Sequence, residues 1–337
     1  MKSVVKLFSL VFALAFFVVD AYADAKRDFY IQQKSRRYFN LPQNAHTFGM
    51  AGSSVATRSD SSSVIGNPAG LGFMKDAEVS GTYDYQDVSG REHPSYNNIS
   101  EEIHSGHALG ATPIVPYLDA LPEYGNLGLG WSGYRSDVDD SLNTETKGHR
   151  IHAAYGKALS DSLSVGYGFT YFNDKLDDDV HQHATDDGYR HTLGVQTKAS
   201  DVLTLGASAF YGYGDPVRRF KDTGVSHTLD SESVGGEVGA AYDLGGLLLA
   251  TSVDYAEYRF KGNDEIANEN GRSYAFRLGA EQEITDWLVG RLGYRYQGHE
   301  YFFGDESFRT GTAKYNAASW GAGVWLHNNL RIDYGGE

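Results

Sequence analysis

The sequence predicts an all-β chain, a transmembrane antiparallel β-barrel with thirteen legible strands, on three observations. From Ala77 onward apolar residues alternate with small or polar ones, a period of two that sends successive side chains to opposite faces of a strand. Short polar turns alternate with long hydrophilic loops, as in a barrel whose rims lie on opposite sides of a membrane. Gly 40, Tyr 24 and Phe 17 stand against Met 3, Pro 7 and Cys 0. Glycine suits a crowded lumen, and aromatic rings suit the two membrane-water interfaces.

As a soluble protein, 337 residues would suggest about two domains, but they make a single barrel. A mean hydropathy of -0.43 excludes a bundle of apolar spanning helices. Spanning strands stay open, because only every second residue of a barrel strand meets lipid. The formal charge of -15 and the lack of a basic stripe argue against nucleic acid as a partner. With no cysteine there are no disulfides, thiol nucleophiles or thiolate-bound metals, so backbone pairing must supply the stability.

Residues 1–23 read as an export signal. Lys2 and Lys6 precede an apolar run from Leu7 to Val19, and Ala21-Tyr22-Ala23 supplies small residues for cleavage. Residues 24–46 then form a polar periplasmic lead with aromatic clusters at Phe29-Tyr30 and Tyr38-Phe39.

Between Thr47 and Met74 neither strand alternation nor a helical apolar face is present. Gly49, Ala51, Gly52, Ser53, Ser54 and Ala56 lead to a serine run, then to Asn67-Pro68-Ala69-Gly70. Such a segment builds no core of its own but threads a confined space where larger side chains would clash. Asn67-Pro68-Ala69-Gly70 reads as a tight turn, since proline fixes its own φ and biases the residue before it away from helix. A flexible serine-glycine linker is the other reading.

The Gly-x-Ala-Gly of Gly49 to Gly52, Asp60 before the serines, and NPAGL at Asn67 to Leu71 resemble the N-terminal hatch of the FadL family of outer-membrane transporters for long-chain fatty acids and other hydrophobic compounds. The resemblance implies that residues 47–76 fold inside the barrel and plug it. It further implies a fourteen-stranded barrel, a kinked third strand opening sideways into the bilayer, and passive transport without a cofactor.

Strands are expected near residues 77–86, 105–113, 125–134, 149–158, 163–172, 188–198, 202–212, 231–243, 247–258, 272–283, 287–297, 314–326 and 330–336. The clearest puts Leu163, Val165, Tyr167, Phe169 and Tyr171 on one face and Ser164, Gly166, Gly168, Thr170 and Phe172 on the other. Leu203 to Gly212 and Ser273 to Glu281 repeat the pattern. Short turns fall at Ser160-Asp161, Ser200-Asp201, Gly245-Gly246, Thr285-Asp286 and 327–329; long loops are expected at 135–148, 173–188, 214–230, 261–271 and 298–313. An odd strand count conflicts with the even counts of single-chain bacterial barrels. The chain also stops at Gly335-Gly336-Glu337 rather than on an aromatic residue, so either a last strand is missing or one assignment is wrong.

Among candidate functional residues, Gly128, Gly130 and Gly133 would tolerate the kink, although small lumen-facing residues explain Gly128 and Gly130 as well. Tyr134, Phe172 and Phe210 are expected to line a path for a hydrophobic ligand. Arg277, Arg291 and Arg295 would either hold a ligand carboxylate or pair with Glu281, Glu237 and Asp254 across neighbouring strands; the second is preferred. The acidic stretch 173–187, with His181 and His183, reads as a solvated loop, because it lacks the glycine and closing glutamate of a calcium loop.

No hydrolase elbow, zinc-protease or phosphate-loop motif occurs, and His149, His152, His181, His183, His191 and His299 near the outer rim form no recognisable triad. The expectation is a monomeric, cofactor-free outer-membrane transporter whose partners are a hydrophobic small molecule and the surrounding lipid. The rivals are a barrel serving protein secretion or surface assembly, and a barrel enzyme.

Overall fold

The structure is a computed structural model that describes residues 44–337, apart from 58, 92–97, 115–123, 140–143, 178–180, 221–225, 263–268, 304–308 and 328. The export signal and residues 24–43 of the lead lie outside the described residues. A leading segment carries a short helix, α1 (Ala45–Gly49), and two 3-10 turns, η1 (Ser61–Val64) and η2 (Pro68–Phe73). Thirteen strands follow: β1 (Glu78–Arg91), β2 (Asn98–Pro113), β3 (Asn126–Asp139), β4 (Thr144–Ala158), β5 (Leu163–Asp177), β6 (His181–Lys198), β7 (Leu203–Phe220), β8 (Ser226–Asp243), β9 (Leu247–Gly262), β10 (Glu269–Thr285), β11 (Leu288–Phe303), β12 (Arg309–His327) and β13 (Leu330–Gly336).

These strands make one antiparallel sheet in chain order. The leading segment shows how that sheet curls, because it touches strands all the way round: η1 meets β1 to β4, η2 meets β3 to β6, and α1 meets β11 to β13. A flat sheet cannot surround one small segment on its own face; a barrel does. Glu78 on β1 lies within electrostatic reach of Arg331 on β13. No ladder joins those two strands among the described residues. An odd number of antiparallel strands makes the first and last run the same way, so all-antiparallel closure would need one strand between them.

The expected faces hold. Leu129, Leu193 and Val238 on the outward face are 68%, 64% and 59% exposed, whereas lumen-facing Ser164, Ser252 and Ser273 are buried. An apolar outer wall and a polar bore are what a spanning barrel requires. Outward aromatic residues gather at two levels. One is a single register row, Trp131–Ile151–Tyr171–Tyr189–Tyr213, high on β3 to β7. The other, with Tyr242, Trp287 and Trp325, lies beside the short turns.

Strand length departs from expectation. The segments read as long loops are largely strand: β5 runs to Asp177, β6 begins at His181, β7 reaches Phe220 and β8 begins at Ser226. The 173–187 stretch is therefore mostly barrel wall, with Asp174 and Asp186 turned inward and buried, and not a solvated loop. Above the membrane both faces of a strand meet water or a wet lumen, so the apolar alternation that marks a strand in lipid disappears.

Candidate functional site: the hatch and the lumen above it

The hatch is shaped by its own capping residues. Asn44 accepts a hydrogen bond from the Thr47 amide at 2.8 Å and starts α1 two residues before the boundary expected from sequence. Asp60 caps η1 by accepting from the Ser62 amide at 2.9 Å. Asn67 caps η2 and Pro68 takes its first position, where a missing N–H costs nothing. After α1 the chain turns through the left-handed region at Ala51 and Gly52, with φ of 55 and 89. A glycine is required at the second of these more than at the first only because it goes further into that region.

Neutral polar side chains from the wall satisfy the hatch backbone. The amide of Asn126 on β3 donates to the carbonyls of Leu71 (2.6 Å) and Met74 (3.2 Å), and Ser164 on β5 donates to Ala69 O (2.6 Å). Gln196 on β6 donates to Ala56 O at 3.1 Å. Asn67 works in the opposite direction. Its side-chain amide donates to Val55 O (2.8 Å) within the hatch and to Val195 O (3.1 Å) in the wall, while its carbonyl accepts from the Ala69 amide. One buried side chain thus joins two stretches of the hatch, at Val55 and at Asn67, to β6.

Where the hatch meets the wall, the wall has glycine. A Cβ on Gly166 would lie 2.3 Å from the Pro68 carbonyl carbon, on Gly194 2.0 Å from Asn67 Oδ1, on Gly206 2.2 Å from Val55 O, and on Gly293 2.4 Å from Ala51 N. Gly49 and Gly321 also face each other, with a milder fit in which an added Cβ would lie 3.1 to 3.2 Å from the opposite Cα, and Ala69 and Gly70 are buried between such walls. The sequence shows these glycines at alternate positions of its strands, but the belt is visible only once the register brings them to one level.

The hatch has an apolar side and a charged side. Toward β2 to β4, Val64, Ile65, Leu71 and Met74 pack with Leu109, Ala111 and Ala154. Toward β10 to β13, His46 Nε2 lies 2.7 Å from Glu281, and Arg291 donates through Nε to Glu281 (2.6 Å) and through Nη1 to Asp333 (2.7 Å). Arg331 also reaches Asp333, at 2.9 Å.

Of the three arginines read as ligand-holding or structural, Arg291 is therefore enclosed by carboxylates. Arg277 pairs with Asp254 and lies 3.7 Å from Glu237, and Arg295 holds both oxygens of the Glu337 side chain at 2.8 Å. The Asp254 and Glu237 partners match the expected cross-strand pairing; Asp333 and Glu337 were not anticipated from sequence.

Higher in the lumen, Ser132, His152, Thr170, Arg190 and Phe210 share one tier, each four residues along its strand from a hatch-level residue. His152 is fully buried, with Nε2 2.8 Å from Ser132 Oγ and Nδ1 2.9 Å from Thr170 Oγ1. Both ring nitrogens thus lie against hydroxyls, where a Ser-His-Asp triad would set a carboxylate on one of them. Arg190 lies 4.3 Å over the Phe210 ring and Arg150 5.4 Å over Tyr134, a fixed cation-aromatic pairing. His299 faces the lumen beside Gln297, His149 and His191 face outward, and the side chains of His181 and His183 lie outside the described residues.

Tyr134, Phe172 and Phe210 all face the lumen, each directly opposite a glycine: Gly148, Gly188 and Gly235. A Cβ on those glycines would meet the ring at 2.7, 2.4 and 2.7 Å, so the aromatics lie against the wall over them. On β3, Gly128 admits Val64 and Leu71, Gly130 admits Leu109, and Gly133 faces outward beneath the Trp131 ring. The β3 ladder passes all three without a register shift on either side.

No protein-family model matches this sequence, and no curated protein sequence matches it. Solved structures do share its architecture. A deltaS2S3 mutant of the TodX monoaromatic hydrocarbon channel aligns over 87% of this chain and 92% of its own at 14% identity and a TM-score of 0.58. A Pseudomonas aeruginosa FadL homologue aligns over 88% and 90% at 13% identity and a TM-score of 0.56. The fold is that of the FadL-type hydrocarbon channels. The CymD monoaromatic hydrocarbon channel adds a third likeness, over 87% and 91% at 12% identity and a TM-score of 0.54. At these identities the likeness is one of fold, and the hatch geometry above rests on this chain's own residues.

Proposed function

We propose that this FadL-type barrel resides in an outer membrane and passes hydrophobic small molecules, without catalysis, from the outer rim past its hatch. The observation that carries the reading is the two-sided hatch. The charged side ties α1 through His46 to Glu281 on β10, which Arg291 on β11 bridges to Asp333 on β13, while the side facing β2 to β4 is held by apolar contact around Leu71 and Leu109 and by the neutral amide of Asn126. An apolar molecule competes for apolar contacts and not for ion pairs, so the hatch yields first beside β2 to β4. Val64 and Leu109 fill the space over Gly128 and Gly130 there, so their displacement would uncover the small-residue stretch of β3 to a ligand. The known cargo of TodX and CymD, monoaromatic hydrocarbons, is the chemical class such a seam suits. Arg190 in the tier above, stacked on Phe210, favours molecules that also carry an anionic end, such as long-chain fatty acids.

Proteoliposomes holding the protein should take up labelled toluene or labelled oleate faster than empty vesicles. Deleting Gly49 to Gly72 should remove that selectivity and admit small hydrophilic solutes. Uptake equal to empty vesicles for both probes, with no change on deletion, would overturn the reading.

A further inference from the structure

We infer that the outward face of β3 to β5, above the upper aromatic row, is a seat for the phosphorylated headgroup of an outer-leaflet glycolipid. The inference rests on the membrane placement proposed above. Cross-strand register sets Arg135 opposite Lys147, and Lys147 opposite Lys175, in one row of three cations. The next row up sets Asp137 opposite Glu145 and Glu145 opposite Asp177. On both rows like charge faces like, an arrangement that weakens a sheet unless something else neutralises it.

Diagonal ion pairs neutralise part of it. Arg135 Nε lies 3.0 Å from both Asp137 Oδ2 and Glu145 Oε1, and Lys147 Nζ lies 3.5 Å from Glu145 and 3.9 Å from Asp177. Lys175 is exposed and has no ion pair among the described residues. The opposite side of the barrel is built differently. There Glu232 faces Arg259, Asp230 faces Lys261, and Glu257 faces Arg272, each charge opposite its complement. Among the described residues only β3 to β5 set three cations in one outward row, and the carboxylate row above it runs on through Glu102 on β2 to Asp87 on β1.

The position fixes the occupant. The cationic row lies four residues above Trp131, Ile151 and Tyr171 along their strands, roughly 13 Å, which is headgroup height when the aromatics mark the acyl boundary. Strands about 4.8 Å apart spread the three cations over roughly 10 Å, enough for two neighbouring phosphates. A zwitterionic phospholipid brings one phosphate with its own cation beside it, a poorer match for three cations in a row, and a peptide would not account for the aromatic row beneath.

The full-length protein is reconstituted in phosphatidylcholine vesicles with magnesium and titrated with lipid A. The variant Arg135→Gln/Lys147→Gln/Lys175→Gln should bind at least about tenfold more weakly. Arg259→Gln/Lys261→Gln/Arg272→Gln, on the far wall, should stay within about twofold of the native protein. Native protein should lose the same affinity for dephosphorylated lipid A. Equal affinity of native and β3–β5 variant, or phosphatidylglycerol competing as well as lipid A, overturns the seat while leaving the barrel intact. Failure of the native protein to insert, read by heat-modifiable gel migration, overturns the membrane placement as well.

Discussion

At the residue scale the account turns on Asn67 and on the glycines that admit the hatch. Asn67 uses both ends of its amide: two donors to carbonyls and one acceptor for an amide, all in a buried site. Asn67→Asp keeps the shape and removes the donors, setting a carboxylate against two carbonyls. Leaving buried partners unsatisfied costs about 1–3 kcal/mol, more when a charge is involved. The hatch should loosen while the wall survives, so limited proteolysis should cut residues 50–74 sooner with heat-modifiable migration unchanged. A matched pair of alanines on β5 tests the glycine belt. Gly166→Ala places a methyl 2.3 Å from hatch backbone, whereas Gly168→Ala meets nothing nearer than Thr192 at 3.6 Å. Hydrogen exchange at the Gly70 and Met74 amides should rise in the first variant and stay native in the second.

At the element scale the hatch is anchored through α1 and the ion pairs of β10, β11 and β13. Arg291 is the pivot, its side chain fully buried between Glu281 and Asp333. Arg291→Met leaves two part-buried carboxylates facing each other and His46, and removing one member of a buried pair costs about 3–5 kcal/mol. The urea midpoint of unfolding should fall accordingly, and adding Glu281→Gln should restore part of it. Lack of restoration would mean that Arg291 acts through packing alone.

Elements also show how much was legible in advance. Strands immersed in lipid were readable because only one face is apolar: β5, β7 and β10 present the faces their alternation predicts. The upper parts of β5 to β8 were not, since Asn173 to Asp187 is polar on both faces and carries no period. The hatch was legible from its small residues and Asn67-Pro68. Its belt of glycines, and Gly148, Gly188 and Gly235 beneath the aromatic rings, needed the register.

At the scale of the whole molecule, a sheet apolar outside and polar within is stoppered by its own leading residues. Two aromatic rows mark its membrane boundaries, and the wall above the upper row carries charge on both faces. Every functional statement depends on that geometry. The chain contains no cysteine, so single cysteines introduced into it report one position at a time. The deciding measurement is the reaction of a membrane-impermeant maleimide with Ala69→Cys, Val253→Cys and Asp161→Cys, in bilayers and after urea unfolding. The account predicts that Asp161→Cys labels rapidly from the turn-side compartment. Val253→Cys should be protected in bilayers by lipid and Ala69→Cys by the wall, both becoming reactive on unfolding. Rapid labelling of Ala69→Cys in the folded, inserted protein would place the NPAG turn in solvent and contradict the plugged barrel.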